Sequence, residues 1–187
     1  MKLLGIAGWS GAGKTTLIVK LISALAARGL RVSTVKHAHH EFDIDQPGKD
    51  SFVHRKAGAS EVIVSSARRF ALIHELGEDE PEMGLSALLA RLSPCDLVLV
   101  EGFKRLGHPK LEVFRAGNGR EALHPSDPCI VAVASDQKFP QAQVPVVPLE
   151  DTAAICDLTL AKSVPIDEVL ARLTALPKGA QGEKNDP

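Results

Sequence analysis

Short apolar runs alternate with helical repeats along this chain. Lys2–Ala7 (KLLGIA) is almost continuously apolar and predicts a buried strand. Over residues 15–28 the period changes: Leu17, Ile18, Leu21, Ile22 and Leu25 recur at helical spacing, and Gly29 stands where a C-cap glycine belongs. Residues 31–36 form a second predicted strand. A polar stretch follows to about residue 49, and then a short helix over 51–57 that stops near Gly58. Two strands, Glu61–Ser65 and Phe70–His74, flank a four-residue break and predict a local hairpin. An acidic turn over residues 77–84 leads to a helix at 85–92. Residues 96–100 are the purest apolar run and predict a central parallel strand buried on both faces. Further strands are predicted at 111–115, 129–134 and 144–147, and a closing helix at 166–176.

Strands that alternate with helices imply an α/β fold, a mostly parallel sheet with helices on both faces, here with a local antiparallel hairpin. Length and apolar content, 187 residues and 44% hydrophobic, suit one domain over residues 1–176. The tail at 177–187 (PKGAQGEKNDP) has almost no apolar anchor and is expected to be disordered.

Charge and composition narrow the function classes. A net charge of −1 and 4% aromatic residues argue against a nucleic-acid-binding protein, which would carry a basic face or stacking aromatics. Lys14 and Lys20 break every early apolar stretch, so neither a secretory signal nor a membrane span is expected, and a cytoplasmic location is. Cys95, Cys129 and Cys156 are odd in number and far apart, with no CxxC pair, which disfavours disulfides and a structural zinc.

Gly8-Trp9-Ser10-Gly11-Ala12-Gly13-Lys14-Thr15 matches GxxxxGK[ST] in full, between a predicted strand and a predicted helix. Glycines let successive backbone N–H groups converge on phosphate oxygens, and the helix N-terminus adds its positive dipole end. In such a P-loop Lys14 reaches the β and γ phosphates and the Thr15 hydroxyl ligates Mg²⁺. The fold expected is therefore of the P-loop NTPase kind.

Other candidates gather at the same predicted sheet end. The strand over 96–100 delivers Glu101 beside the P-loop for Mg²⁺ or water, with Gly102 offering an amide to a γ-phosphate, while Asp96 opens that strand at the far end. After the second strand comes VKHAHHEFDIDQPGKDS. His37, His39 and His40 lack a second ligand pair at zinc spacing, whereas Asp43, Asp45 and Asp50 suit Mg²⁺. Arg115 and Arg120 flank a Gly-Asn-Gly turn and read as surface charges. Asp136 comes just after an apolar run at the P-loop end; a carboxylate there is either an ordinary turn residue after a strand or an acceptor for guanine N1–H and the exocyclic amine.

Taken together, WSGAGKTT (9–16), VKHAHHEFDID (35–45), PGKDS with RKAGA (47–59) and LVLVEGFK (97–104) resemble the MobB family, the molybdopterin-guanine dinucleotide biosynthesis adapter proteins. The resemblance spans roughly residues 1–137. It implies a GTP-binding homodimer with weak GTPase activity, working beside the guanylyltransferase that attaches GMP to the molybdenum cofactor and beside other cofactor-biosynthesis proteins. Carried over, Gly11, Ala12, Gly13, Lys14, Thr15 and Thr16 take the nucleotide phosphates, and Asp45 joins the nucleotide site. Ala134-Ser135-Asp136 falls where related GTPases hold guanine, without the usual NKxD. A small-molecule kinase is the alternative. It needs an Arg-rich lid, and Arg68-Arg69 in the hairpin break is the nearest approach to one. A structural adapter that binds nucleotide without turnover is a third class.

Overall fold

The computed structural model describes residues 1–38, 42–77 and 79–174. His39, His40 and the C-terminal tail, with the expectations placed on them, lie outside the described residues. The chain divides into two compact units, one of residues 1–37 with 84 onward, the other of residues 38–83.

The larger unit is built on a seven-stranded sheet. Its strands are β1 (Lys2–Ala7), β2 (Val32–Lys36), β5 (Leu97–Glu101), β6 (Lys110–Phe114), β7 (Ile130–Ser135), β8 (Val146–Pro148) and the two-residue β9 (Val164–Pro165). The order β2-β5-β1-β6-β7-β8 is parallel throughout, and β9 pairs antiparallel with the start of β1. β3 (Glu61–Ser65) and β4 (Phe70–His74) form a separate antiparallel pair in the smaller unit. The α/β class, the mostly parallel sheet and the hairpin of the sequence reading are thus all present, the hairpin as a sheet of its own.

Strand alternation distributes the core. In β1 and β5, Leu4, Ile6, Leu97 and Leu99 face one side, against Leu17, Leu21 and Leu25 of α1 (Lys14–Ala27) and Ile155 of α4 (Thr152–Lys162). Leu3, Val98 and Val100 face the other, with Leu85 and Leu89 of α3 (Leu85–Leu89) and Val169 and Leu173 of α5 (Ile166–Thr174). Both faces are therefore covered, as a parallel sheet requires. Helix α1 ends as its sequence predicts: Gly29 takes φ +82° and donates its N–H to Ala26.

Three features escape the periodicity. α4 lies in a stretch with no predicted element; Asp151 caps it by accepting from the Ala154 N–H, and its buried residues include a cysteine and a threonine. The strand predicted at 111–115 begins one residue earlier as β6, and its two charged residues, Lys110 and Glu112, are 1% and 0% exposed. The Lys110 ammonium lies 2.9 Å from Asp127, while Glu112 accepts from the Leu123 and His124 amides and faces the His124 ring. Gly5, inside β1, leaves no room for a side chain, since a Cβ there would stand 2.5 Å from His108 Nε2. Burial, reinforced by Lys110, pushes the His108 imidazole down to about 3, so it packs as a neutral ring.

Among the described residues no helix is long and apolar enough to cross a membrane. Leu21, fully buried between α1 and the sheet, should cost about 2–5 kcal/mol when replaced by alanine. Val19, on the exposed face of the same helix, should cost less than about 0.5 kcal/mol on the same change. Urea unfolding midpoints of the two variants check the contrast.

Candidate functional site

The loop between β1 and α1 is shaped by residues without side chains. Gly8, Gly11 and Gly13 take φ of +142°, +78° and +95°, and Gly13 is the N-cap of α1. Gly8 is also a close approach: a Cβ there would stand 2.5 Å from the Val113 carbonyl of β6. Ala12 is buried, and its amide reaches back to the Trp9 carbonyl at 3.2 Å. Lys14 curls over the loop and donates to the Gly8 and Trp9 carbonyls at 2.8 and 3.0 Å. Its pKa is lowered, first by burial, with Glu101 pulling the other way and Lys104 and Lys36 adding to the depression.

Glu101 ends β5, next to β1 in the sheet, and its carboxylate lies 3.5 Å from the Thr15 hydroxyl and 3.9 Å from the Lys36 ammonium. The turn beyond is tight. Gly102 has φ +92°, and a Cβ on it would meet His37 Cβ at 2.6 Å. Phe103 follows with φ +50°, costly for a bulky residue, and its buried ring, 4.8 Å from His37, holds it there. Asp96 lies at the other end of β5, where its carboxylate accepts from the Arg31 amide at 2.7 Å.

Residues beyond β6 brace the loop from its other side. Arg115 Nε donates to the Ala12 carbonyl at 3.2 Å, Asn118 Nδ2 to Ser10 at 3.2 Å, and Trp9 Nε1 to Glu121 at 2.8 Å. The Arg120 guanidinium lies 5.4 Å from the Trp9 ring centroid. Arg115 and Arg120 read as surface charges in the sequence, and Arg120 is exposed and Arg115 partly so; both also lie beside the glycine loop. The signal was the position of Arg115 at the end of a strand, but it needed the knowledge that this strand adjoins β1. At the end of β7, Asp136 Oδ1 accepts the Ala116 amide at 2.9 Å.

The remaining acidic candidates belong to the smaller unit. Arg55, on α2 (Asp50–Lys56), donates to both Asp43 oxygens at 2.9 Å, to Asp45 at 3.1 Å and to Glu75. Asp45 also accepts from the Ser51 hydroxyl at 2.8 Å and from the Gln46 amide. Asp50 is exposed in the first turn of α2. Among the described residues no group of three histidine, cysteine or carboxylate side chains is arranged to hold a metal ion.

A parallel sheet, a glycine loop at positive φ leading into a helix N-terminus, and an acidic strand end beside its Thr define a protein of the P-loop NTPase-like class. The family model described as "Molybdopterin guanine dinucleotide synthesis protein B", MobB, matches residues 3–136. The molybdopterin-guanine dinucleotide biosynthesis adapter protein of Escherichia coli (strain K12) is 45% identical over 161 residues, covering 84% of this chain and 91% of that one. The protein of the same name from Haemophilus influenzae is 42% identical over 134 residues, 72% of this chain and 74% of that one. The X-ray structure of the MobB protein homologue from Bacillus stearothermophilus has a TM-score of 0.59 at 27% identity, covering 91% of this chain and 99% of that one. The chain belongs to the MobB family.

The Arg55 cluster generates a pH prediction. The Asp43 carboxyl is lowered by the Asp45 amide and by Arg55; for Asp45, burial pushes upward but hydrogen bonds from Ser51 and Arg55 outweigh it. Both folded values lie below the ordinary 3.8, so the stabilisation is fully present above that pH and is lost as the pH falls through the lowered values. A carboxyl-carbon NMR titration should find both midpoints below 3.8, and Arg55→Ala should move them back towards it.

Proposed function

We propose that this chain is a GTP-binding adapter in the biosynthesis of the molybdenum cofactor as its guanine dinucleotide, with at most a weak Mg²⁺-dependent GTPase activity. One observation carries the nucleotide: three glycines at positive φ lead into the N-terminus of α1, with the Lys14 ammonium folded back over the same loop. The residues assigned to the phosphates are Gly8, Gly11, Ala12, Gly13, Lys14, Thr15 and Thr16, with Gly102 as a further amide donor. Lys14 would exchange the Gly8 and Trp9 carbonyls for phosphate oxygens, a charge-assisted contact in place of neutral ones.

The Thr15 hydroxyl and the Glu101 carboxylate are hard oxygen donors already facing each other, a pair that fits Mg²⁺. Bound there, the ion would supply positive charge against the phosphates. Glu101 would orient a ligating or attacking water, and Lys36 and Lys104 would keep the surrounding field positive.

The pathway assignment rests on family membership and on what its relatives are called; partners would be the guanylyltransferase and other proteins of that pathway, in the cytoplasm. A homodimer belongs to the same proposal. Supporting it, the hairpin leaves Ile63 68% and Phe70 75% exposed, apolar side chains that a second copy would cover. Light scattering should return the mass of two chains, and of one chain for Phe70→Glu.

The single tryptophan lies in the glycine loop, so its fluorescence should respond to GTP. Lys14→Ala should abolish that response with the circular dichroism unchanged; wild-type affinity in this variant would refute the phosphate site. Glu101→Gln should keep nucleotide affinity but lower Mg²⁺-dependent hydrolysis at least about tenfold, and Asp96→Asn, at the far end of β5, much less.

A further inference from the structure

The face of β6 and β7 turned away from α1 carries Phe114, Ile130 and Val133. Two loops rather than a helix pack on it, through Leu123, Phe139 and Val144. Beside these loops lies a cavity of about 570 Å³, within the range of roughly 300–1,000 Å³ that small-molecule sites occupy. Phe139, Pro140 and Val144 wall it, and His124 and Gln143 are among its polar members. The described lining holds no lysine, arginine or carboxylate and no residue of the glycine loop, so nothing there is arranged to hold a phosphate.

A buried carboxylate orients the histidine. Glu112, with no exposure, accepts the Leu123 and His124 amides at 2.6 and 2.9 Å and lies 3.0 Å from His124 Nδ1. A carboxylate so placed only accepts, so the ring proton is on Nδ1 and Nε2 keeps its lone pair. Among the described residues Nε2 has no hydrogen-bond partner and is not sealed from solvent, so its open side is the cavity that the ring lines. The ring itself is fixed, 8% exposed and 4.9 Å from Phe139 in an edge-on contact. Gln143 supplies a second acceptor: its amide nitrogen donates to the Gln141 carbonyl at 3.2 Å, which leaves its side-chain oxygen for a ligand. Fastening the loop to the sheet uses Nδ1 and two amides only. The lone pair on Nε2 is what that role leaves unused.

Resting on the proposed pathway, we infer that this cavity takes a heterocycle through a 2-amino-4-oxopyrimidine edge, the edge that a pterin and guanine share. That edge presents a ring N–H and an amine N–H side by side, which match the two acceptors, and its flat neutral body matches the apolar walls. Adenine is the wrong complement, because its ring nitrogen would set a lone pair against that of Nε2. Pterin and guanine are the two heterocycles of a molybdopterin guanine dinucleotide. The cavity would thus hold one end of the pathway's substrate or product, apart from the glycine loop.

Calorimetric titration of neopterin, guanosine and adenosine into the full chain tests this, with GTP binding followed in parallel by Trp9 fluorescence. Neopterin or guanosine should bind at least about tenfold more tightly than adenosine, and the better of the two identifies the moiety held. His124→Asn keeps an amide donor for Glu112 but withdraws the acceptor, and should weaken that ligand at least about tenfold. Gln143→Leu, at an exposed position, should weaken it about threefold or more. Both variants should keep the wild-type response to GTP. The ligand should also shift the Nε2 nitrogen resonance of His124, which a histidine that only fastens the loop would not show. Binding of neither heterocycle with the GTP response intact would overturn this assignment alone. So would adenosine binding as tightly, or wild-type affinity retained in both variants. A chain that binds neopterin or guanosine in this way but gives no response to GTP would keep the cavity and remove the phosphate site.

Discussion

The Val113 carbonyl of β6 stands 2.5 Å from where a side chain on residue 8 would begin, and the whole loop is built on that contact distance. Because residue 8 is glycine, β1 can run to its end against β6 and then turn sharply into the loop. Ala12 is packed into the core beneath the turn, so the loop is supported from below as well as from the side. Arg115 and Asn118 then hold two of its carbonyls from above the sheet edge. A loop with so few side chains of its own is held rigid by the side chains of its neighbours.

The charges around the loop are set by the same geometry. Lys14 is partly desolvated and has Lys36 and Lys104 nearby, a combination that disfavours its ammonium, and Glu101 is the counter-charge that offsets it. Glu101 reaches that position through a turn in which Gly102 and Phe103 both take positive φ. The strain at Phe103 is tolerated because its ring is buried in the core under the sheet. Packing energy in one layer thereby fixes a carboxylate in another.

Strand β6 shows how a parallel sheet accommodates charge. A lysine and a glutamate sit with almost no exposure on its face, yet each has partners: one carboxylate for Lys110, and two amides and an imidazole for Glu112. Buried charges of this kind contribute little net stability but would be severely destabilising if one partner were removed. The long segment between β6 and β7 is tied to the sheet through these contacts.

Much of this could be read from the chain itself. Strand and helix periods, the glycine loop with its Lys and Thr, and the opposite ends assigned to Asp96 and Glu101 are properties of short segments, decided by local geometry and by the direction of one strand. α4 was not legible, because its apolar residues do not trace a clean stripe and its start depends on the Asp151 cap. Nor was the burial of Lys110 and Glu112, since alternation is the same whether water or a folded segment covers the polar face. Arg115 and Glu150 are 35 residues apart and each resembles an ordinary surface charge. They meet because the parallel strands β6 and β8 end at the same end of the sheet as β1, and the order of strands is settled by long-range crossovers and by which faces must be covered, not by any segment alone.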